Sequence, residues 1–132
     1  IFHKIETRSS ATPGKLADLF QSSRFLVNMS RHESFGLVMT EAMAVGTPVL
    51  ATVTDGALEQ IRDQENGVLI AGSSDSERLS AAYEVVSNAL KLDQKDYNKM
   101  KSAAIQSADS FRLNQIAPKI LSIYQDAVHQ RQ

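Results

Sequence analysis

The sequence predicts an α/β fold in which helices cover a parallel sheet on both faces, and it predicts that the sheet is incomplete. Three short apolar runs, RFLVNM, PVLATV and GVLIA, are bounded by polar or turn residues and read as strands. The segments between them carry apolar residues at helical spacing, and parallel neighbours need a crossover of that kind, with a right-handed sense. Beyond these strands the chain offers only IFHKI, at residues 1–5, as a further remnant. That is few for a complete doubly wound sheet.

Taken in order, Thr12 is placed as a cap and Pro13 as a first helical residue, with Leu16, Leu19 and Phe20 on one face, so a helix is expected over 13–21. A strand follows at 24–29, and Met29 at its end reads as core packing. Ser34 is the expected N-cap of the next helix. From Phe35 that helix carries Leu37, Met39, Ala42, Met43 and Ala44 to Gly46, a left-handed terminator with Pro48 beyond it. The second strand spans 48–53. Thr54, Asp55 and Gly56 form a turn that caps a short helix, ALEQIRD, and Asn66-Gly67 turns the chain into the third strand at 67–70. After AGSSD the chain is helical throughout. Leu79, Ala82, Tyr83, Val86 and Leu90 share one face; Tyr97, Met100, Ala103 and Ala104 another; and Ile116, Ile120, Ile123 and Tyr124 a third.

A chain of 132 residues supports one hydrophobic core, so residues 1–132 are expected to form a single unit. Its 14 basic and 15 acidic side chains leave a net charge of -1, which removes any global charge argument for nucleic acid or an acidic membrane. The absence of cysteine excludes disulfides, thiolate catalysis and zinc–thiolate sites. No run is long and apolar enough for a membrane span, and IFHKIETRSS lacks the order of a signal peptide, so a cytoplasmic location is expected. His3 and His129 have no carboxylate at ligand spacing, which leaves metal binding unsupported. The opening on Ile1 rather than Met reads as a piece of something longer.

The chemistry concentrates in residues 29–56. In open parallel sheets ligands bind beyond the carboxyl ends of the strands, and the loop MSRHES occupies such a place. Gly36, with no side chain, lets a ligand reach the N–H groups of Gly36, Leu37 and Val38, which lack intrahelical acceptors and suit a phosphate or sugar. Glu33 and Glu41 flank these donors. A continuous helix between them would rise about 12 Å, whereas a retaining glycosidase pair needs about 5 Å. The spacing suits two grips on one elongated ligand, because carboxylates accept and orient hydroxyl hydrogen bonds. The turn at Thr54, Asp55 and Gly56 also follows a strand and should lie beside this loop. Arg31 and His32 are further candidates, although such a pair is more often solvated surface.

The stretch ESFGLVMTEAMAVGTPVLATVTDGALEQIRDQENGVLI resembles the donor-binding segment of retaining, nucleotide-sugar-dependent glycosyltransferases of the two-Rossmann-domain, GT-B architecture, the glycosyl transferases group 1 that include glycogen synthase-like and sucrose synthase-like enzymes. The resemblance rests on Glu33, Phe35-Gly36, Glu41-Ala42 and Gly46-Thr47-Pro48-Val49. It implies an incomplete Rossmann-like sheet, the second half of the C-terminal nucleotide-sugar-binding domain. It also implies that Glu33 holds hydroxyls of the donor sugar at the catalytic position, and that Ser34, Phe35, Gly36, Leu37 and Val38 form the donor loop. Glu41 would bind the ribose, and Thr54, Asp55 and Gly56 would lie near the donor, with Glu59 matching a frequent glutamate of the next helix. Asp55 stands where the family often has glycine, and Met29 where it often has proline.

By the same resemblance the donor is a nucleoside diphosphate sugar, no cofactor or metal is needed, and the acceptor is a hydroxyl compound of unassigned class. The N-terminal domain and the Arg/Lys pair that neutralises the leaving diphosphate would lie outside this chain, which would be inactive alone. Some of the apolar face at Ile116, Ile120, Ile123 and Tyr124 would then be exposed and favour self-association; peripheral membrane association of the parent stays open. The competing reading is a noncatalytic α/β module that binds a nucleotide or a partner protein, with a phosphorylase or epimerase of similar architecture as a further enzyme reading.

Overall fold

The computed structural model describes residues 10–129, so the remnant strand expected at IFHKI lies outside the described residues. The element order is α1 (Pro13–Ser22), β1 (Leu26–Asn28), α2 (Leu37–Ala44), β2 (Val49–Thr52), α3 (Asp55–Gln60), β3 (Gly67–Ile70), α4 (Asp75–Leu90), α5 (Gln94–Asp109) and α6 (Leu113–His129). The three strands lie in the order β1-β2-β3, all parallel, with Leu26 opposite Val49 and Val49 opposite Gly67. β1 and β2 are shorter than the 24–29 and 48–53 expected, and β3 has the expected bounds.

β2 is the centre of the fold and all four of its residues are buried. Side chains alternate across a strand, so Val49 and Ala51 join Phe20, Met39, Met43, Ile61, Ala104 and Ala108 on one side, while Leu50 joins Val68, Ile70, Ala82, Ala89 and Met100 on the other. The sheet is therefore covered on both faces, as the sequence predicts. Gly67 shows how closely the strands approach: a Cβ there would come within 2.3 Å of the Val49 carbonyl oxygen.

One helix face, that of α4, departs from the sequence expectation, whereas the apolar face of α6 is exposed as expected. α4 packs through Ala82 and Ala89, with Ala81, Val85 and Val86 partly buried, whereas Leu79, Tyr83 and Leu90 are exposed. The face that packs on the sheet is centred on the small Ala82 and Ala89, and the larger residues of α4 are turned outward. α6 has no buried residue; Ile116 is half-buried, and Ile120, Ile123 and Tyr124 are exposed. Met29 is corrected as well. It is 41% exposed rather than packed in the core, because β1 ends at Asn28, whose Oδ1 accepts from the Ser30 N–H at 3.1 Å and the Ser30 hydroxyl at 2.7 Å and turns the chain out of the sheet.

At the opposite end of β1, Arg24 is clamped across the helices. Its guanidinium donates to the Leu92 carbonyl at 2.6 Å and lies 4.5 Å from the Tyr97 ring centroid. The Tyr97 hydroxyl returns a hydrogen bond to the Arg24 carbonyl at 3.0 Å, and its ring meets Phe25 edge-on at 5.5 Å. Burial raises the Tyr97 pKa, against the opposing pull of the Arg24 charge. A phenol raised in the folded state contributes stability that is full below its unfolded pKa of about 10 and is lost as pH rises through the folded value. The melting temperature should accordingly fall above about pH 10, and Tyr97→Phe should flatten that part of the profile; parallel melts of the two proteins from neutral to alkaline pH check it.

Candidate functional site

Gly36, not Ser34, precedes the first helical residue of α2. Its φ of +81° is left-handed, and Leu37 begins the helix with no side-chain cap on its amides. Phe35 therefore lies in the loop rather than in the helix. Glycine adopts this conformation without the cost that a Cβ imposes. A Cβ at Gly36 would also meet the Glu33 Cγ at 2.8 Å and the Met39 Cε at 2.6 Å, so the absent side chain is the space in which Glu33 lies. The Met39 N–H turns back to the Gly36 carbonyl at 2.9 Å. Leu37 and Val38, the first two residues of the helix and both exposed, present the amides that a helix start leaves without an intrahelical acceptor.

Phe35 anchors the loop by meeting Phe111 edge-on at 5.3 Å. The second loop reaches it from β2. Thr54 caps α3 by accepting from the Ala57 N–H at 3.2 Å, as its place in the turn predicts. Gly56 is buried, and its N–H donates to the Glu33 carbonyl at 2.8 Å. A Cβ on Gly56 would lie 2.3 Å from the Phe35 carbonyl oxygen. The position thus requires glycine for close approach of two backbones, and its amide is already used.

Two buried amides escaped the sequence reading. Gln60 is 3% exposed; the Thr40 hydroxyl donates to its Oε1 at 2.7 Å, and its Nε2 donates to the Phe35 carbonyl. Asn66, expected simply as a turn residue, is fully buried. Its Nδ2 donates to the Gln60 carbonyl at 2.9 Å and the Ser107 hydroxyl at 2.7 Å, while its Oδ1 accepts from the Arg62 N–H at 2.8 Å. A polar residue inside a short amphipathic segment looks solvated in sequence, and only the tertiary packing reveals the partners.

Further side-chain contacts hold the first loop, one buried and one at the surface. Thr52 donates its hydroxyl to the Ser30 carbonyl, and Arg31 pairs with Asp75 at the start of α4. Arg78 contacts the same Asp75 at 3.3 Å and donates to the Gly72 carbonyl at 3.1 Å. Both partners of the Arg31 pair are well exposed, so it orients the loop more than it stabilises the fold.

Arg31, His32, Glu33, Ser34, Val53, Thr54 and Asp55 line a cleft of about 370 Å³. A second, of about 360 Å³, is lined by Ala11, Pro13, Leu16, Ala17, Phe20, Glu41, Ala44 and Val45. Glu33 and Glu41 thus open onto different clefts, one largely polar and one largely apolar, and both fall in the size range of small-molecule sites. Glu59 is exposed on α3 and lines neither cleft. Among the described residues no group of three or more His, Asp or Glu side chains could hold a metal ion.

The family profile of the glycosyl transferases group 1 matches residues 5–107. The chain belongs to the glycosyl transferases group 1. As a group 1 member it is 33% identical over 114 residues to D-inositol 3-phosphate glycosyltransferase 1 of Catenulispora acidiphila, covering 86% of this chain and 26% of that protein. It is 36% identical over 115 residues to the D-inositol 3-phosphate glycosyltransferase of Streptomyces scabiei, covering 87% of this chain and 25% of that protein. The chain spans about a quarter of the length of these curated relatives.

Among solved structures, the pneumococcal O-GlcNAc transferase GtfA, in complex with UDP and GlcNAc, superposes with a TM-score of 0.71 at 25% identity, over 86% of this chain and 23% of that one. Sucrose-phosphate synthase of Thermosynechococcus elongatus shares the fold at a TM-score of 0.66 and 23% identity, over 87% of this chain and 28% of that one. The small open parallel sheet flanked by helices is an incomplete Rossmann-like domain of the GT-B type. Group 1 membership and the GT-B fold agree with what the motif at residues 33–49 implies. Gly56→Ala should destabilise this domain by about 1–3 kcal/mol, as overpacking does, because the neighbour is rigid backbone; a lower urea midpoint at unchanged slope checks it, and an unchanged midpoint contradicts it.

Proposed function

We propose that the chain is the second half of the C-terminal donor-binding domain of a retaining glycosyltransferase, which moves a sugar from a nucleoside diphosphate sugar to a hydroxyl acceptor. The observation that carries this reading is the position of Glu33: its side chain lies over the left-handed Gly36 turn, beside the exposed amides that open α2, in a chain of the group 1 family. Glu33 accepts hydrogen bonds from donor-sugar hydroxyls in the polar cleft, with Ser34, Thr54 and Asp55 on its walls. The N–H groups of Leu37 and Val38, at the positive end of the helix dipole, face the diphosphate. Glu41, in the apolar cleft with Leu16 and Phe20, holds the ribose of a nucleotide whose base lies against apolar surface. The UDP and GlcNAc bound by the pneumococcal relative are the chemical parts that such a pair of clefts accommodates.

The two carboxylates are a poor environment for diphosphate by themselves, and Arg31 is engaged with Asp75. Charge on the departing diphosphate must then be met by basic groups elsewhere in the parent, which is why the chain alone is expected to be inactive. The transfer needs no dedicated metal ion. Activity of the full-length protein should survive chelation, and loss on chelation with recovery on adding a divalent ion contradicts this.

Glu33→Ala and Glu41→Ala should fail differently in the full-length protein. Each loses a charge-assisted contact of about 1.5–3 kcal/mol, the first chiefly in turnover and the second chiefly in nucleotide affinity. Calorimetric binding of nucleoside diphosphates beside steady-state rates makes the comparison, and unchanged nucleotide affinity in the Glu41 variant removes its assigned role. The anomer of the product decides the stereochemistry. Retention is expected; an inverted linkage contradicts the mechanism, and specific nucleotide binding with no transfer from any common donor supports the noncatalytic alternative.

A further inference from the structure

We propose that Gln60 is a positioning residue for the sugar-binding loop, with its buried side-chain amide fixing the Phe35–Gly36 turn and, through it, Glu33 and the amides of α2. The proposal rests on the donor-site reading above. Two contacts converge on this one side chain from different elements, and a third holds its backbone. The Thr40 hydroxyl on α2 donates to its Oε1 at 2.7 Å, its Nε2 donates to the Phe35 carbonyl in the loop, and its own carbonyl accepts from Asn66, which is bonded in turn to Ser107 on α5.

The location makes the amide consequential. Phe35 immediately precedes the left-handed Gly36, and its carbonyl belongs to the peptide unit whose orientation sets that turn. The Glu33 carbonyl is held by the Gly56 N–H, so α3 grips the loop backbone at residues 33 and 35, while the Phe35 ring rests on Phe111. An aliphatic side chain at position 60 would fill the same volume but would leave the Phe35 carbonyl without its partner in a buried place. The loop would then gain freedom to rotate that peptide towards water. Because Gln60 lines neither cleft, it acts on the ligand only through the loop.

Gln60→Leu in the full-length protein tests this, read by residue-resolved hydrogen exchange and by hydrolysis or transfer kinetics with UDP-glucose, UDP-N-acetylglucosamine and GDP-mannose as probes. Amide exchange across residues 35–38 should accelerate about tenfold or more beyond any change at the slowest-exchanging amides, and turnover should fall by about 10- to 100-fold with little change in KM, as slight misplacement of a reacting group does. Thr40→Val supplies a milder variant if Gln60→Leu unfolds. It should shift both readouts in the same direction, and the double variant, where it folds, should be no worse than Gln60→Leu alone. Unchanged exchange in an active Gln60→Leu protein overturns the positioning role, as does a loss expressed wholly in KM or in melting temperature, or Thr40 and Gln60 effects that simply multiply. A wild-type protein inert towards every probe contradicts the donor-site reading and removes the positioning role with it, so the two failures are distinct.

Discussion

The close approach of the Gly56 backbone to the Glu33–Phe35 backbone is the constraint on which the site depends. Two loops leave the carboxyl ends of the adjacent parallel strands β1 and β2, and their backbones pass so near that no side chain fits between them. The Gly56 N–H turns this proximity into a hydrogen bond. Next along the chain come the left-handed Gly36 turn, the space occupied by Glu33 and the start of α2. The rest of the sheet serves to bring the two strands into register, with β2 buried between its neighbours.

The site also separates charge from apolar surface. Glu33 and Asp55 share a polar cleft, while Glu41 opens onto a cleft walled by α1 and α2. A ligand that spans both must combine hydroxyl donors at one end with a flatter, less polar body at the other, joined by a group that suits exposed helix amides. A nucleoside diphosphate sugar has that order of parts. The arrangement supplies acceptors and dipoles, so the proposed donor role requires neutralising charge from outside these two clefts.

Much of this was legible in the sequence because turns and strands depend on local chemistry. Pro13, Thr54 and Gly46 mark helix ends that the structure reproduces, and the alternation of apolar runs with helical spacing predicts the parallel sheet. The N-cap of α2 was misplaced because Ser34 has the preferred chemistry, yet the backbone geometry at Gly36 decides where the helix begins. Size and spacing place Tyr83 and Leu79 with Ala82 on a core face, but the buried face of α4 runs through Ala82 and Ala89 and leaves the two larger side chains exposed. Gln60 and Asn66 were illegible for a related reason. Their partners, Thr40, Phe35 and Ser107, are remote in sequence, and no local pattern announces a buried amide.

The assignment of the two loops to donor binding is tested most directly by a hydrogen-exchange footprint of the full-length protein, taken with and without saturating nucleoside diphosphate sugars of several bases. Protection is expected in residues 31–41 and 53–56, strongest at the α2 amides of Leu37 and Val38. Measured sugar transfer with protection confined to other segments, and none in these two loops, would contradict the account.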